Sequence, residues 1–474
     1  MNLEEYINNH DELKIISDLA IKHDIPAYLI GGYVRDLMLK RDNKRDIDIV
    51  CLGSGIVLAK IVKSHFGKSA SLVIYKQFGT ACVKYNNLEI EFVGARKESY
   101  RAASRDPEIE SGSISDDQNR RDFTINALAI SLNRDGFGLL TDPFEGLTDL
   151  GKRIIRTPLE PNITFSDDPL RMMRAIRFAS QLNFDIQEDS FEAIQAMANR
   201  ITIISQERIT SELNKIIMSP IPSYGFKLLF HAGLLKVIFP ELYNLQGVTI
   251  IDGKAHKDNF YHTLQVLDNI SKGSDNLWLR WTALLHDIAK PATQRFHKKI
   301  GWTFHGHEEK GAQMVPKIFK NLKLPLNEQM KFVQKLVKLH LRPIALISNN
   351  VTDSAIRRLL YEAGEEIDDL MQLCRADITS KNNSKVQRYL MNFEIVQEKI
   401  KEVESKDSLR NFNNPISGDE IMRFFDLGPS RIIGELKEII KEAIIEGTIS
   451  NNRSEAIELL KKEGQRLGLE IKEK

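Results

Sequence analysis

Cysteine is scarce in this chain. Cys51, Cys82 and Cys374 are three in 474 residues, widely spaced and odd in number. They cannot form a disulfide framework or a zinc knuckle, so a reducing cytoplasm is the expected setting. Long apolar runs are missing too, which excludes a membrane-spanning helix and makes membrane association unexpected. The opening MNLEEYINNH lacks the basic-then-apolar pattern of a secretory leader. Nor is there an excess of either charge: 66 basic and 65 acidic side chains leave a net +1. Such a chain is not one that coats nucleic acid indiscriminately, although local basic patches remain open to it. Internal repeats, low-complexity tracts and any sign of an obligate protein partner are also lacking. What is present is 42% hydrophobic residues, enough in a chain of this length for three or four domains.

The most informative segment is LIGGYVRDLMLKRDNKRDIDIV, residues 29–50. Its apolar start reads as a strand that ends in a tight turn at Gly31-Gly32, where no side chain intrudes. Bare amides in such a turn can cradle a triphosphate, and Arg35 adds a planar fork of donors suited to phosphate. A second strand follows, with Asp46 and Asp48 two residues apart on one face and Ile47 and Ile49 on the other. Paired carboxylates repel unless a divalent cation lies between them, the arrangement that metal-assisted phosphoryl transfer requires. An isolated DxD would more often read as the solvated face of an edge strand. The preceding GGYVRD turn favours the metal reading.

Further on, SLVIYKQFGTACVKY and LEIEFVGAR alternate apolar and polar residues to about residue 96. Residues 97–119, polar and interrupted by Pro107 and Gly112, read as a mobile loop. Beyond 145 the pattern is helical nearly to the end, with KEVESKDSLRNFNNP as a charged connector before a short helical tail. Seven of the eleven histidines fall between 256 and 340, which marks that stretch as chemically distinct.

These motifs resemble the CCA-adding tRNA nucleotidyltransferases and bacterial poly(A) polymerases, members of the DNA polymerase β-like nucleotidyltransferase superfamily. The resemblance implies a third carboxylate in LEIEFVGAR, at Glu91, with Glu89 as the alternative. It extends to DQNRRDFTINALAI, where Arg120 and Arg121 suit phosphate or sugar contacts, Asp122 would hold one of them, and Asn126 could bond backbone near the site. A bare RRD run would otherwise read as an exposed salt-bridge cluster. In GLTDLGKRIIR, Asp149 and Arg156 match a family element linking the head to the next domain.

In FSDDPLRMMRAIRFASQL, Asp168 before Pro169 suits a helix N-cap, and Arg171, Arg174 and Arg177 recur along one side. Met172, Met173, Ile176 and Ala179 should face the core. The resemblance makes Asp168 and Arg171 readers of the incoming base, with Arg174 and Arg177 on phosphate or base. A carboxylate accepts from the exocyclic amine of cytosine or adenine while an arginine donates to the ring nitrogen. Guanine and uracil present the reverse order, at a cost in selectivity on the order of 10⁴. The family usually writes EDxxR here; Asp167 stands where it has glutamate.

From residue 256, HKDNFYHTLQVLDN, LRWTALLHDIAKP, WTFHGHEEKGAQ, LVKLHLRP and LCRADITS resemble the HD phosphohydrolase superfamily. His286-Asp287 is the naming pair on a helix, His262 and Asp377 match the first and last ligands, and His307 and His340 match those of two-metal members, with His305 as a different register. Imidazoles mixed with carboxylates suit a divalent transition metal.

The expected architecture is therefore an α/β head (1–145) of the polymerase β-like nucleotidyltransferase fold. An all-α body (146–245), an HD domain (246–395) and a helical tail (396–474) expected to bind tRNA follow. The expected reaction is addition of CMP and AMP, from CTP and ATP, to the 3′ end of tRNA, with Mg²⁺ on Asp46 and Asp48. Poly(A), CC-only or A-only addition is the alternative within the enzyme class. A phosphohydrolase with an RNA-binding head is the alternative outside it. The 97–119 loop looks full length and the C-terminal end is not basic, which favours complete CCA.

Overall fold

Two-residue alternation runs through only part of the first sheet, as the computed structural model shows for a chain described over residues 1–41, 46–76, 79–99, 108–347, 352–379, 382–407 and 414–472. The elements are β1 (Ala27–Ile30), α1 (Gly32–Met38), β2 (Asp46–Cys51), α2 (Gly55–Phe66), β3 (Ala70–Tyr75), β4 (Thr80–Tyr85) and β5 (Leu88–Gly94). After these come β6 (Arg96–Ser99), β7 (Glu108–Ser111), α3 (Ile114–Asn119), β8 (Ala129–Ser131) and β9 (Leu140–Thr141). Seven strands form one sheet in the order β3-β4-β5-β2-β1-β8-β9. β2 and β5 run parallel, pairing Asp46 with Glu89 and Asp48 with Glu91. Ile47, Ile49, Ile90 and Phe92 are buried on one face, where Leu58, Ala59 and Val62 of α2 meet the sheet. Asp46, Glu89 and Glu91 are exposed on the other, and Asp48 is half-buried.

Two expectations are corrected here. Residues 97–119 are not simply a loop. β6 and β7 pair as an antiparallel hairpin, and α3 follows, while residues 100–107 lie outside the described residues. The helix is started by a capping box in which Ser113 and Asp116 satisfy each other's backbone amides. Strands also continue past residue 96, because the short apolar stretch at 129–131 pairs with β1 and extends the sheet.

The chain separates into two compact units, Met1–Ile238 and Phe239–Lys474. In the first, α4 (Leu170–Leu182) packs against α5 (Gln206–Ile217), with Met172, Met173, Ile176 and Ala179 fully buried as the helical spacing required.

The second unit is mostly helical. It contains hairpin β10 (Ile250–Ile251) with β11 (Lys254–Ala255), then α6 (Asn259–Ser271) and α7 (Leu277–Leu285). Hairpin β12 (Arg295–His297) with β13 (Gly301–Thr303), α8 (His307–Asn321), α9 (Glu328–Leu339) and α10 (Ile367–Asp377) follow. The charged stretch 401–407, read as connector, instead ends a helix spanning Asn383–Asp407, which Ile400 and Val403 anchor by burial. Among the described residues no helix is long and apolar enough to cross a membrane.

Candidate functional site

The turn after β1 is shaped by Gly31, whose φ is +84°. A Cβ there would stand 3.0 Å from Asp48 Oδ2 and 3.2 Å from Arg121 Nη1. Only glycine lets the backbone pass this close while holding a left-handed conformation. Gly32 then opens α1, whose first-turn amides have no intrahelical acceptor. Burial pushes the Asp48 carboxyl up from 3.8 to about 6; Arg121 works against this, and Glu91 and Asp46 reinforce it. Glu91 sits beside Asp48 in register. Glu89, the alternative third carboxylate, accepts from Lys84 Nζ at 2.5 Å on the neighbouring strand.

Arg120 and Arg121 are both fastened to Asp117, which is fully buried. Arg121 donates Nε and Nη2 to Asp117 Oδ2 at 3.1 and 2.9 Å. Asp122, expected to hold one of these arginines, is hydrogen-bonded to other partners. It accepts from Arg174 Nε at 2.7 Å and from Asn126 Nδ2 at 3.0 Å. Although burial opposes it, Arg174 and Asn126 hold the Asp122 carboxyl at about 2. Among the described residues the Asn126 side chain bonds side chains rather than backbone; its Oδ1 accepts from Arg35 Nη1 at 2.9 Å. Arg35 is buried, with Nε and Nη2 donating to Asp36 at 2.9 and 3.0 Å. Its donors are therefore turned into the protein, where the sequence suggested a phosphate contact.

Phe178 of α4 gathers three guanidinium groups about its ring. Arg177 lies 3.9 Å, Arg35 4.9 Å and Arg174 5.5 Å from the centroid. Burial, with the like charges of Arg174 and Arg35, lowers Arg177 to about 10 despite Glu212, whose Oε2 is 2.6 Å away. Asp168 accepts from Leu170 N at 3.1 Å and stands 3.3 Å from Arg208. Arg171 donates to Arg120 O at 2.7 Å, which ties α4 to the RRD segment. Arg156 pairs with Asp149, to which Thr124 also donates.

In the second unit, the chemistry-bearing residues stand at helix ends. His286 and His340 follow the last turns of α7 and α9, His307 opens α8, and Asp377 closes α10. The His286-Asp287 pair thus lies just past a helix rather than within it. His286 and His340 turn Nδ1 to carbonyls left open by those helix ends, Ala283 O at 2.8 Å and Val337 O at 2.6 Å. His307 does the same with Phe304 O at 2.7 Å. Each Nε2 is thereby aimed inward.

Two buried groups result, His262–His286–Asp287 and Asp287–His307–His340, each with ligand atoms within 4.8 Å of one another. Asp287 belongs to both. Asp377 joins the first group, its Oδ1 2.9 Å from His262 Nε2. His305 is exposed. Burial lowers His262, and it lowers His340 to about 4 with help from charge on His286. Asp287 is held well below the carboxylate range against its burial, chiefly by His286. His286 is raised instead, because its burial is outweighed by Asp287 and Asp377; lowered imidazoles at His262 and His340 beside an ionised Asp287 are the states a metal ion needs. His286 Nε2 is buried 3.3 Å from Asp287 Oδ2 and 3.7 Å from Asp377 Oδ1, which fits the same purpose. The head carboxylates form no group this tight among the described residues, in keeping with their mutual repulsion.

Residues 27–156 match the family model for the poly A polymerase head domain, 183–245 the probable RNA and SrmB-binding site of polymerase A, and 259–381 the HD domain. Over 343 residues the chain is 32% identical to the A-adding tRNA nucleotidyltransferase of Deinococcus radiodurans, covering 70% of this chain and 75% of that one. The chain belongs to the tRNA nucleotidyltransferase and poly(A) polymerase family. A second family member, the multifunctional CCA protein of Shewanella frigidimarina, is 33% identical over 312 residues, 63% of this chain and 70% of the relative. The fold is also that of the Bacillus stearothermophilus CCA-adding enzyme solved in complex with CTP. That comparison has a TM-score of 0.66 at 22% identity, over 97% of this chain and 98% of the other.

Within this nucleotidyltransferase, sequence reasoning missed Asp117, Asp36 and Arg208. Asp117 was detectable: on a helix it lies three and four residues before Arg120 and Arg121, the spacing at which opposite charges meet. Asp36 and Arg208 carried no comparable signal.

Proposed function

We propose that the chain adds CMP and AMP, from CTP and ATP, to the 3′ end of tRNA and so completes CCA. The observation that carries this is the shared sheet face of Asp46, Asp48 and Glu91, with Arg121 brought against Asp48 across Gly31. Mg²⁺ held by Asp46 and Asp48 would supply activation of the RNA hydroxyl and neutralise triphosphate charge. The 3′-hydroxyl gives up its proton to water, its oxygen bonds to the α-phosphorus, the α–β bridging bond breaks, and pyrophosphate leaves with the displaced electron pair. The Gly31-Gly32 turn gives the triphosphate close backbone approach, Arg120 and Arg121 stand beside it, and Asp168 and Arg171 read the base. Four parts serve this: head 1–145, neck and body 146–245, HD domain 246–395 and a tRNA-contacting tail 396–474, working in the cytoplasm without membrane or obligate protein partner.

A second reading, addition of the terminal A alone, is favoured by the name of the Deinococcus radiodurans relative. Supplying tRNAs that lack A, CA or CCA with CTP and ATP, singly and together, decides between them. Full CCA on the shortest tRNA supports the first reading, growth only of tRNA ending in CC supports the second, and a long adenylate ladder overturns both.

Changing Arg171 to Ala should reduce CTP and ATP use together, by roughly 10- to 100-fold each, because one pair of readers serves both bases. Steady-state kinetics with each nucleotide checks this. Loss confined to one nucleotide would place the readers elsewhere.

For the second unit we propose a centre built by His262, His286, Asp287, His307, His340 and Asp377. It would hold divalent transition ions such as Mn²⁺, Ni²⁺, Co²⁺ or Fe²⁺ and hydrolyse phosphate esters. Water oxygen joins phosphorus, the ester P–O bond breaks, and the alcohol leaves with a proton. A double His286→Ala, Asp287→Ala variant should lose bound transition metal and any phosphohydrolase activity while CCA addition stays within about twofold. Elemental analysis and nucleotide incorporation on one preparation test it. Collapse of incorporation at unchanged thermal stability would refute the two-module reading.

A further inference from the structure

The two hairpins of the second unit make a surface of distinctive composition beside the histidine cluster. Across 289–307 there is no acidic residue, yet Lys290, Arg295, Lys298 and Lys299 fall there in a chain whose overall charge is +1. Arg295, Lys298 and Lys299 are exposed, and none is paired with a carboxylate among the described residues. Apolar side chains stand with them: Ile300 is 76% and Ile250 67% exposed.

The surface is tied together and tied to the cluster. Lys254 Nζ donates to Lys298 O at 2.9 Å, and Trp302 Nε1 donates back to Lys254 O at 3.0 Å. His256 meets Trp302 and Phe304 edge-on, with centroids 5.4 and 5.8 Å apart. Lys290 Nζ lies 5.7 Å from the Phe304 centroid and 2.6 Å from Asp287, and Phe304 O accepts from His307. Cations and apolar groups thus share one surface that ends at the metal-ligating residues.

The geometry points to this double hairpin as a binding surface for single-stranded RNA, which leads a phosphate at the strand's end toward the histidine cluster. The inference rests on the phosphohydrolase reading of that cluster. Cations spaced along a hairpin suit successive backbone phosphates, and apolar and aromatic groups among them suit unstacked bases. A free mononucleotide would engage only the inner residues and leave Arg295, Lys298 and Lys299 without a purpose.

The test uses the full chain and an octauridylate with a 3′ phosphate and 4-thiouridine throughout, photocrosslinked under excess tRNA and mapped by mass spectrometry. Crosslinks should fall within 250–304. A triple Arg295→Ala, Lys298→Ala, Lys299→Ala variant should reduce them about tenfold at 0.15 M salt, and less at low salt. Metal content and unfolding temperature should not change. Crosslinks confined to 1–238, or insensitivity to the triple change, would overturn the inference. So would capture of the chain by anionic phosphatidylglycerol vesicles, lost in the triple variant, with no hairpin crosslinks. Hydrolysis of bis(p-nitrophenyl) phosphate, measured separately, scores the phosphohydrolase reading. Hairpin crosslinks without that hydrolysis support the surface and remove the reading; hydrolysis without hairpin crosslinks does the opposite.

Discussion

Replacing Asp48 with asparagine should lower nucleotide incorporation by a factor on the order of 10³ or more and, in EDTA, make the protein more stable. The two effects have one cause. Burial and the neighbouring Glu91 and Asp46 raise the Asp48 carboxyl to about 6, so ionising it costs the folded state free energy unless a cation compensates. A group raised in this way costs nothing below its unfolded value of 3.8; the penalty grows as pH climbs to 6 and is complete above it. Asparagine keeps the shape and removes the charge. The gain should approach roughly 3 kcal/mol at pH 7.5 as an upper bound and vanish near pH 3.5. Melting curves of both proteins in EDTA across that range provide the measurement. An unchanged or lower melting temperature at pH 7.5 would show that Asp48 is not under electrostatic strain.

The second large effect is expected at Asp117, in the opposite direction. Its carboxylate is fully buried and holds both Arg120 and Arg121. Asp117→Ala leaves two partly buried guanidinium groups without their shared acceptor, a loss of about 3–5 kcal/mol. Here the folded carboxyl is lowered despite burial, by Arg121 and Arg120. Its contribution is therefore present above the unfolded value and fades as pH falls through the folded one. Chemical denaturation at pH 7.5 should show the full deficit, and the gap should narrow toward pH 3. A deficit under 1 kcal/mol at pH 7.5 would mean that the arginines find other partners.

These two carboxylates also show where sequence reasoning succeeds and where it stops. Asp48 was legible because strand geometry is local: period-two alternation in DIDIV puts both aspartates on one face whatever the sheet around them. The glycine turn was legible for the same reason. Pairing of β2 with β5 in parallel, which sets Glu91 beside Asp48, depends on contacts forty residues apart, and no periodicity encodes it. Asp122 was assigned to its chain neighbours, yet its partner Arg174 comes from another segment altogether. Polarity makes 97–119 read as a loop, yet among its described residues 114–119 are helical, and Ser113 and Asp116 carry the helix-start signature. In the second unit, it is the resemblance to the HD superfamily that points to these histidines and aspartates. That they stand at helix ends was not legible, since helix boundaries are the weakest part of any pattern.

That last feature bears on how the protein is assembled in the cell. In the unfolded chain the six groups are scattered over residues 262–377 and compete singly for ions. Folding brings the ends of α7, α8, α9 and α10 to one place beside His262. An ion captured there would act as a cross-link between helices, favouring the folded unit by its preference over the unfolded chain. Ion supply would then set how long this half of the molecule survives proteolysis, apart from any reaction it performs.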